Sequence, residues 1–270
     1  MMKTTIISAA FISLITASCT NSKSDSIVIN PFNTTTVEGK GPVREKTFSG
    51  DFDELQVSTS IEATVLKSNE EKVVISAPSD LLDVILVENN NGKLHIHFKP
   101  NTNVRSNGMV KATVYAKDFS KLQANSSGSI TLKDKFLTEK LSVDASSSGS
   151  VSGDLEANDF DINVSSSGNF KGKIWAVNLS GDVSSSGDVE ISGEAKNADF
   201  DVSSSGSIDA KNLVVENADL DASSSGGIDV GVQNTLSASA SSGGDISVSK
   251  RGNLNVTRSK ESSGGSISVL

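Results

Sequence analysis

From Phe48 onward the chain alternates apolar and polar residues with a period of two. Leu55, Val57 and Thr59 alternate with Gln56 and Ser58, and Ala63 and Val65 continue the pattern. Val73-Val74-Ile75 follow beyond the turn-like Ser68-Asn69-Glu70. A period of two turns one face of an extended chain toward apolar neighbours and the other toward water, so these segments predict strands. Asp80 to Val87 fits a short helix or a strand equally well. Asn90-Asn91-Gly92 then separates Val87 from Leu94-His95-Ile96-His97-Phe98. An Asn-Gly pair tolerates the positive φ angles of a tight turn, which predicts a hairpin here. A regular strand, Val110 to Ala116, leads into the second half.

The second half is an internal repeat. A Ser-Ser-Gly or Ser-Gly-Gly turn recurs with its alignable glycine at Gly128, Gly149, Gly168, Gly187, Gly206, Gly226, Gly244 and Gly265, at intervals of 18 to 21 residues. Apolar residues stand eight, six and four positions before the glycines, as in Leu141-Val143-Ala145, Phe160-Ile162-Val164 and Ala198-Phe200-Val202. Two positions after them come Ile130, Val151, Phe170, Val189, Ile208, Ile228, Ile246 and Ile267. One such unit cannot bury its own apolar face, whereas stacked units bury each other's. At about 3.3 Å per residue, 19 or 20 residues make one coil of a slim solenoid, with neighbouring coils about 4.8 Å apart and paired in parallel. The glycine is expected to supply a positive φ at a sharp corner, and the serine hydroxyls to satisfy backbone groups freed there.

Composition agrees with small inward side chains in a regular stack. Apolar residues make up 36% of the 270 and aromatics only 4%, too few for a deep globular core. The net charge of −9 and pI near 4.8, with Lys and Arg scattered, exclude a phosphate-binding surface and hence nucleic acid as a partner.

The first residues change the picture of location. Lys3 precedes an apolar stretch, Ile6 to Ala17, too short to span a bilayer. It ends in Thr16-Ala17-Ser18-Cys19, which resembles the lipobox of bacterial lipoproteins except at Thr16, where an aliphatic residue is usual. Cys19 is the single cysteine, so it is the expected lipidation site, and an ordinary secretory signal is the other reading. Residues 1–18 are thus read as a signal peptide and 19–45 as a polar tether. Residues 46–270 are read as the folded body, with lead-in strands over 46–120 and repeats over 121–270. Ile27-Val28-Ile29 could form a short strand inside the tether.

Candidate chemistry is sparse. His95 and His97 share one strand face and could begin a metal site. The sequence shows no acidic partner on that face, so an exposed strand face is the expectation. Five positions before the repeat glycines lie Asp144, Asn163, Asp182, Asp201 and Asp221. Stacked, they form an outward acidic row. Its aspartates Asp144, Asp182, Asp201 and Asp221 are candidates for cation binding or for the carboxylates of a polysaccharide lyase or hydrolase, against a solvated polar row. Trp175, beside Lys171, Gly172 and Lys173, is a candidate ligand platform on the one irregular patch. The Ser-Ser-Gly units have no base at a fixed offset and read as corners, so no catalytic residue and no cofactor is expected.

Gly50-Asp51-Phe52-Asp53, the segment Leu55 to Val65, the hairpin ending at Phe98 and the Ser-Ser-Gly-Ser-Ile turns together resemble the head GIN domain of putative auto-transporter adhesins. The resemblance covers roughly residues 46 to 270. It implies an all-β fold, a right-handed parallel β-helix resembling pectin lyases, with a β-rich N-terminal lead-in and no recognised catalytic set. The expectation is a non-enzymatic lipoprotein of the cell envelope, held at the outer membrane by its lipid. Its rigid solenoid would present polar faces for adhesion or for carbohydrate or protein binding. A carbohydrate-active enzyme on the same scaffold is the alternative. A structural component assembling as a homo-oligomer through its solenoid ends is a third reading, suggested by the uncapped Ser266-Ile267-Ser268-Val269-Leu270.

Overall fold

The computed structural model describes residues 35–270 apart from Asn107. The signal segment, Cys19 and Ile27-Val28-Ile29 lie outside the described residues. The lead-in contains β1 (Thr35–Glu38), β2 (Val43–Ser49), β3 (Glu54–Val57), β4 (Glu62–Lys67), β5 (Lys72–Pro78), β6 (Ile85–Asn90), β7 (Lys93–Phe98), β8 (Thr102–Arg105) and β9 (Lys111–Ala116). The ambiguous segment before β6 is one turn of 3-10 helix, Leu82–Val84, and then strand. The hairpin forms as expected, with Asn91 and Gly92 at φ of 54° and 88° between β6 and β7. Order begins earlier than expected. β1 and the first part of β2 fall inside the segment read as tether, because β1 pairs in parallel with β8 and β2 pairs antiparallel with β5.

The repeats supply β10 (Lys121–Ala124), β11 (Ser129–Leu132), β12 (Phe136–Ala145), β13 (Ser150–Val164), β14 (Asn169–Val183), β15 (Asp188–Val202), β16 (Ser207–Ala222), β17 (Gly227–Ala240), β18 (Asp245–Lys250), β19 (Asn255–Glu261) and β20 (Ser266–Val269). They stack in parallel, each coil hydrogen-bonded to the next, and form a β-solenoid. The apolar columns meet as the pattern predicts: Val151 pairs with Phe170, Phe170 with Val189 and Val189 with Ile208, all buried. A third side of the coil, before the next run of alternation, adds buried Leu155, Ile174, Leu213, Ala157, Ala176 and Val215. Large residues sit beside small ones. A Cβ on Gly181 would come within 2.8 Å of the Phe200 ring, its neighbour in the adjacent coil. Unequal coil lengths are absorbed away from the corners, at register shifts between Glu190 and Ser192 and between Ala210 and Val214.

The corner works differently from expectation. The left-handed residues are the two that precede the glycine, such as Ser185 and Ser186 at φ of 50° and 61°. In Ser-Gly-Gly corners the second of them is Gly243 or Gly264. The N–H of the alignable glycine closes a four-residue turn, as from Gly187 to the Ser184 carbonyl at 2.9 Å. Two positive φ angles in succession make this a type I′ turn. Corner groups are satisfied by backbone rather than by hydroxyls, since Ser186 N–H donates to the Ser204 carbonyl of the next coil at 3.1 Å and Ser167 N–H to that of Ser185. The glycine is there for room. A Cβ on Gly187 would stand 2.7 Å from the Val164 carbonyl oxygen, and one on Gly206 2.8 Å from that of Val183.

In the lead-in, order in space departs from order in sequence. β3 lies between β7 and β10, and β4 between β9 and β11. The coil of β7 and β9 therefore stacks outside the coil that precedes it in the chain. Beyond it the pairing turns antiparallel, β6 against β7 and β5 against β9, with β2 outermost. Exposed Arg44, Glu45 and Lys46 on β2 give this edge charges that discourage further pairing.

Replacing Gly187 by Ala should destabilise the fold by about 1–3 kcal/mol, the usual cost of forced overpacking. Ser185→Gly, which relieves a left-handed serine, should be tolerated. Denaturant unfolding of the two variants checks the assignment, and equal destabilisation would contradict it.

Candidate functional site

One outer side of the repeats is organised in columns set by distance from the corner glycine. Nine positions before it, Asp159, Asn178, Asn197 and Asn217 stand in register on four successive coils. Asn178 Nδ2 donates to Asp159 Oδ1 at 2.9 Å, Asn197 Nδ2 to Asn178 Oδ1 at 3.1 Å, and Asn217 Nδ2 to Asn197 Oδ1 at 3.1 Å. An amide is both donor and acceptor, so identical side chains one coil apart complete each other and keep hydrogen-bonding capacity for a ligand. Asp159 caps the row. The Asn178 amide, and then the Lys140 ammonium, hold its carboxyl below the usual range. Beside this row runs a groove of about 680 Å³, with Leu179, Ala198 and Ala218 among its apolar lining and Asp161, Ser180, Asp199, Asp219 and Ser237 along its polar side. The amide row was not singled out in the sequence, although counting nine back from each glycine finds it.

The acidic row lies two columns further on, as expected. Asp144, Asn163, Asp182, Asp201 and Asp221 follow one another in register. Its members are not equivalent. Asp144 is neutralised by Lys121 Nζ at 2.6 Å and accepts from Gln123 Nε2 at 3.0 Å. Asp182, Asp201 and Asp221 stand on consecutive coils with Asp199 and Asp219 adjoining. Partial burial, then the carboxylates of Asp182, Asp221 and Asp199, raise the Asp201 carboxyl, and partial burial followed by Asp219, Asp182 and Asp221 raises Asp199.

The structure separates the patch around Trp175. Lys171 pairs with Glu190 on the next coil at 2.6 Å and borders one depression together with Lys173 and Gly172. Trp175, 40% exposed, borders another of about 450 Å³ with Glu194, Lys196, Val214 and Gln233. In register it stands between Glu156 and Glu194.

His95 and His97 do not lie on a fully exposed face, and they do have an acidic partner. Both are half-buried, their rings stacked at 4.0 Å and 18°. Glu88, opposite His95 in the hairpin, reaches His97 Nε2 at 3.4 Å. Burial foremost, then the neighbouring His97, lowers the His95 pKa to about 4, Lys93 adding to this and Glu88 opposing it. Among the described residues, Glu88, His95 and His97 are the group of three whose potential ligand atoms all lie within 4.8 Å of one another. The aspartate row does not meet that distance.

The raised Asp201 carboxyl carries a pH signature. A carboxyl whose folded-state pKa exceeds its unfolded value contributes most to stability below about pH 4 and loses that contribution as pH rises through the raised value. Asp201→Asn should therefore stabilise the protein at pH 7 by roughly 0.2–1 kcal/mol, the scale of facing like charges. The gain should vanish below about pH 4. Thermal unfolding of parent and variant at both pH values measures it.

Comparison with known proteins places this geometry. The solenoid is similar to a putative adhesin from Parabacteroides distasonis (TM-score 0.77, 22% identity, covering 87% of this chain and all of that one). It is equally similar to a putative lipid binding protein from the same organism (TM-score 0.77, 24% identity, the same coverage). A putative adhesin from Parabacteroides merdae follows (TM-score 0.75, 17% identity, 88% of this chain and all of that one). These likenesses establish the fold. No curated protein matches the sequence. Residues 51–252 match the family described as "Putative auto-transporter adhesin, head GIN domain", and with three quarters of its length so covered the chain belongs to that family.

Proposed function

We propose that the protein is a non-enzymatic lipoprotein of the bacterial outer membrane, acylated at Cys19, whose solenoid serves adhesion by binding a glycan along the amide-lined groove. The observation that carries this reading is the groove itself. A polyhydroxylated ligand needs paired donors and acceptors at regular spacing. The Asn178–Asn197–Asn217 row offers them along the groove, one amide per coil. The family description and the names of two similar structures, each reading "putative adhesin" or "putative auto-transporter adhesin", support the same class of role.

Two other readings find less support. Hydrolysis of a glycosidic bond uses two carboxyls whose environments push their pKa values apart. Asp199 and Asp201 are both shifted upward, for the same reasons, and Asp159, the groove carboxyl shifted downward, is engaged by the Asn178 amide and the Lys140 ammonium. A buried lipid needs an interior cavity, and here the coils are filled by Phe160, Phe170, Phe200 and their neighbours.

The purified full chain should bind a subset of a glycan array. Alanine at both Asn178 and Asn197 should weaken that binding at least tenfold, while alanine at Trp175 leaves it unchanged. Retention of affinity in the double variant, or release of new reducing ends from a bound glycan, would overturn the reading. For the anchor, Cys19→Ser should move the protein from the membrane fraction to the soluble fraction.

A further inference from the structure

We propose that Glu88, His95 and His97 form a binding site for a divalent first-row transition-metal ion at the capped end of the solenoid. The donor set, two imidazoles and one carboxylate, suits zinc and its neighbours and not calcium, which takes oxygen ligands.

The hairpin creates the set. His95 and His97 are two apart on β7 and so project to one side. Glu88 is the register partner of His95 across the β6–β7 ladder, so its carboxylate stands on that same side. The potential ligand atoms of the three residues already lie within 4.8 Å of one another. Around a tetrahedral ion with bonds of about 2.0–2.1 Å, two donor atoms sit about 3.3 Å apart. His97 Nε2 and Glu88 Oε2 are at 3.4 Å without adjustment, whereas the His95 ring, stacked on His97 at 4.0 Å and 18°, must turn about its Cβ–Cγ bond for its in-plane lone pair to reach the same point.

Each imidazole is held by the nitrogen that would not bind. His97 Nδ1 is 2.9 Å from the Phe98 carbonyl oxygen and donates its proton there, which turns the Nε2 lone pair toward Glu88. That nitrogen and the carboxylate then face each other across a gap that a cation fills. His95 Nε2 lies 2.9 Å from Ser58 Oγ, so Nδ1 is the nitrogen available to turn toward the ion. Histidines that ligate metals are oriented in this way, through the second ring nitrogen. The support is rigid, because Ser58 N–H donates to the Ile96 carbonyl at 3.0 Å and Phe98 N–H to Thr59 Oγ1 at 3.0 Å, tying β7 to the corner of the adjacent coil. Three protein ligands leave a fourth position for water or for an oxygen of a bound partner. The inference does not depend on the glycan reading, since groove and hairpin share no residue.

Isothermal titration of the chelator-stripped full chain with zinc chloride should show one equivalent bound at this site. Cobalt substitution should give the visible absorption of a four-coordinate ion. His97→Gln and Glu88→Gln should each weaken binding, by on the order of 100-fold for the histidine. Cys19→Ser and Asp182→Asn should bind as the parent does, which separates this site from the thiol and from the acidic row. Circular dichroism of the variants establishes that they are folded. Absence of zinc binding by the folded parent, or equal binding by His97→Gln, would overturn the proposal.

Discussion

Parallel coils can hydrogen-bond through a corner only if the corner's backbone passes against the backbone of the coil before it, and a side chain on the inner corner residue forbids that approach. Gly187 against Val164 and Gly206 against Val183 show the constraint in its simplest form. Meeting it requires two consecutive left-handed residues, each costing about 1–2 kcal/mol when it is not glycine. An isolated turn would not keep them there. In the stack, each corner's N–H is claimed by a carbonyl of the next corner, as Ser186 is by Ser204 and Ser205 by Ser224, so neighbours hold the strained conformation in place. Strain and ladder come as one package, which is why the motif is repeated whole rather than in part.

Register fixed at the corners decides what each outer column can be. A column of identical residues is favourable when its members complement themselves and unfavourable when they repel. Asn178, Asn197 and Asn217 belong to the first kind, because an amide donates at one atom and accepts at another. Asp182, Asp201 and Asp221 belong to the second, since carboxylates only accept. Both columns lie on the outer surface, Asn197 and Asn217 half-buried at the groove and Asn178, Asp182, Asp201 and Asp221 exposed, so the difference between them lies in the side-chain chemistry. Polar patterning thus follows the same logic as the apolar interior, with neighbours in the column taking the place of neighbours in the core.

Much of this was legible in the residues themselves. The corner glycines gave the coil, the alternation around them gave the inward columns, and Asn91-Gly92 gave the hairpin. The Asp201 row and the amide row both lie at constant offsets from the glycines, and the second needed only the same counting. What the residues conceal is non-local. Nothing in β7 or β9 says that they stack outside β3 and β4, because parallel pairing depends on which apolar face finds which, and Leu55, Leu94 and Leu122 would serve any order of the coils. The role of the glycine was misread for a related reason. A positive φ is a local property that sequence suggests, whereas contact with a carbonyl of the preceding coil, as of Gly187 with Val164, exists only once the coil has closed.

The contrast between stacked coils and antiparallel cap bears on where unlike residues can meet. In the repeats each column sets a residue against its equivalent in the next coil, so like tends to face like: amide on amide, carboxylate on carboxylate, aliphatic on aliphatic. That arrangement makes long uniform surfaces suited to a repetitive ligand. It is poorly suited to a cluster that needs different donors at fixed distances. Antiparallel pairing in the cap reverses the chain and breaks the equivalence, so that Glu88 faces His95 and Ser58 of the adjoining coil reaches the same imidazole. The cap closes the sheet edge and, by the same reversal, is the part of the molecule where chemically distinct side chains converge on one point.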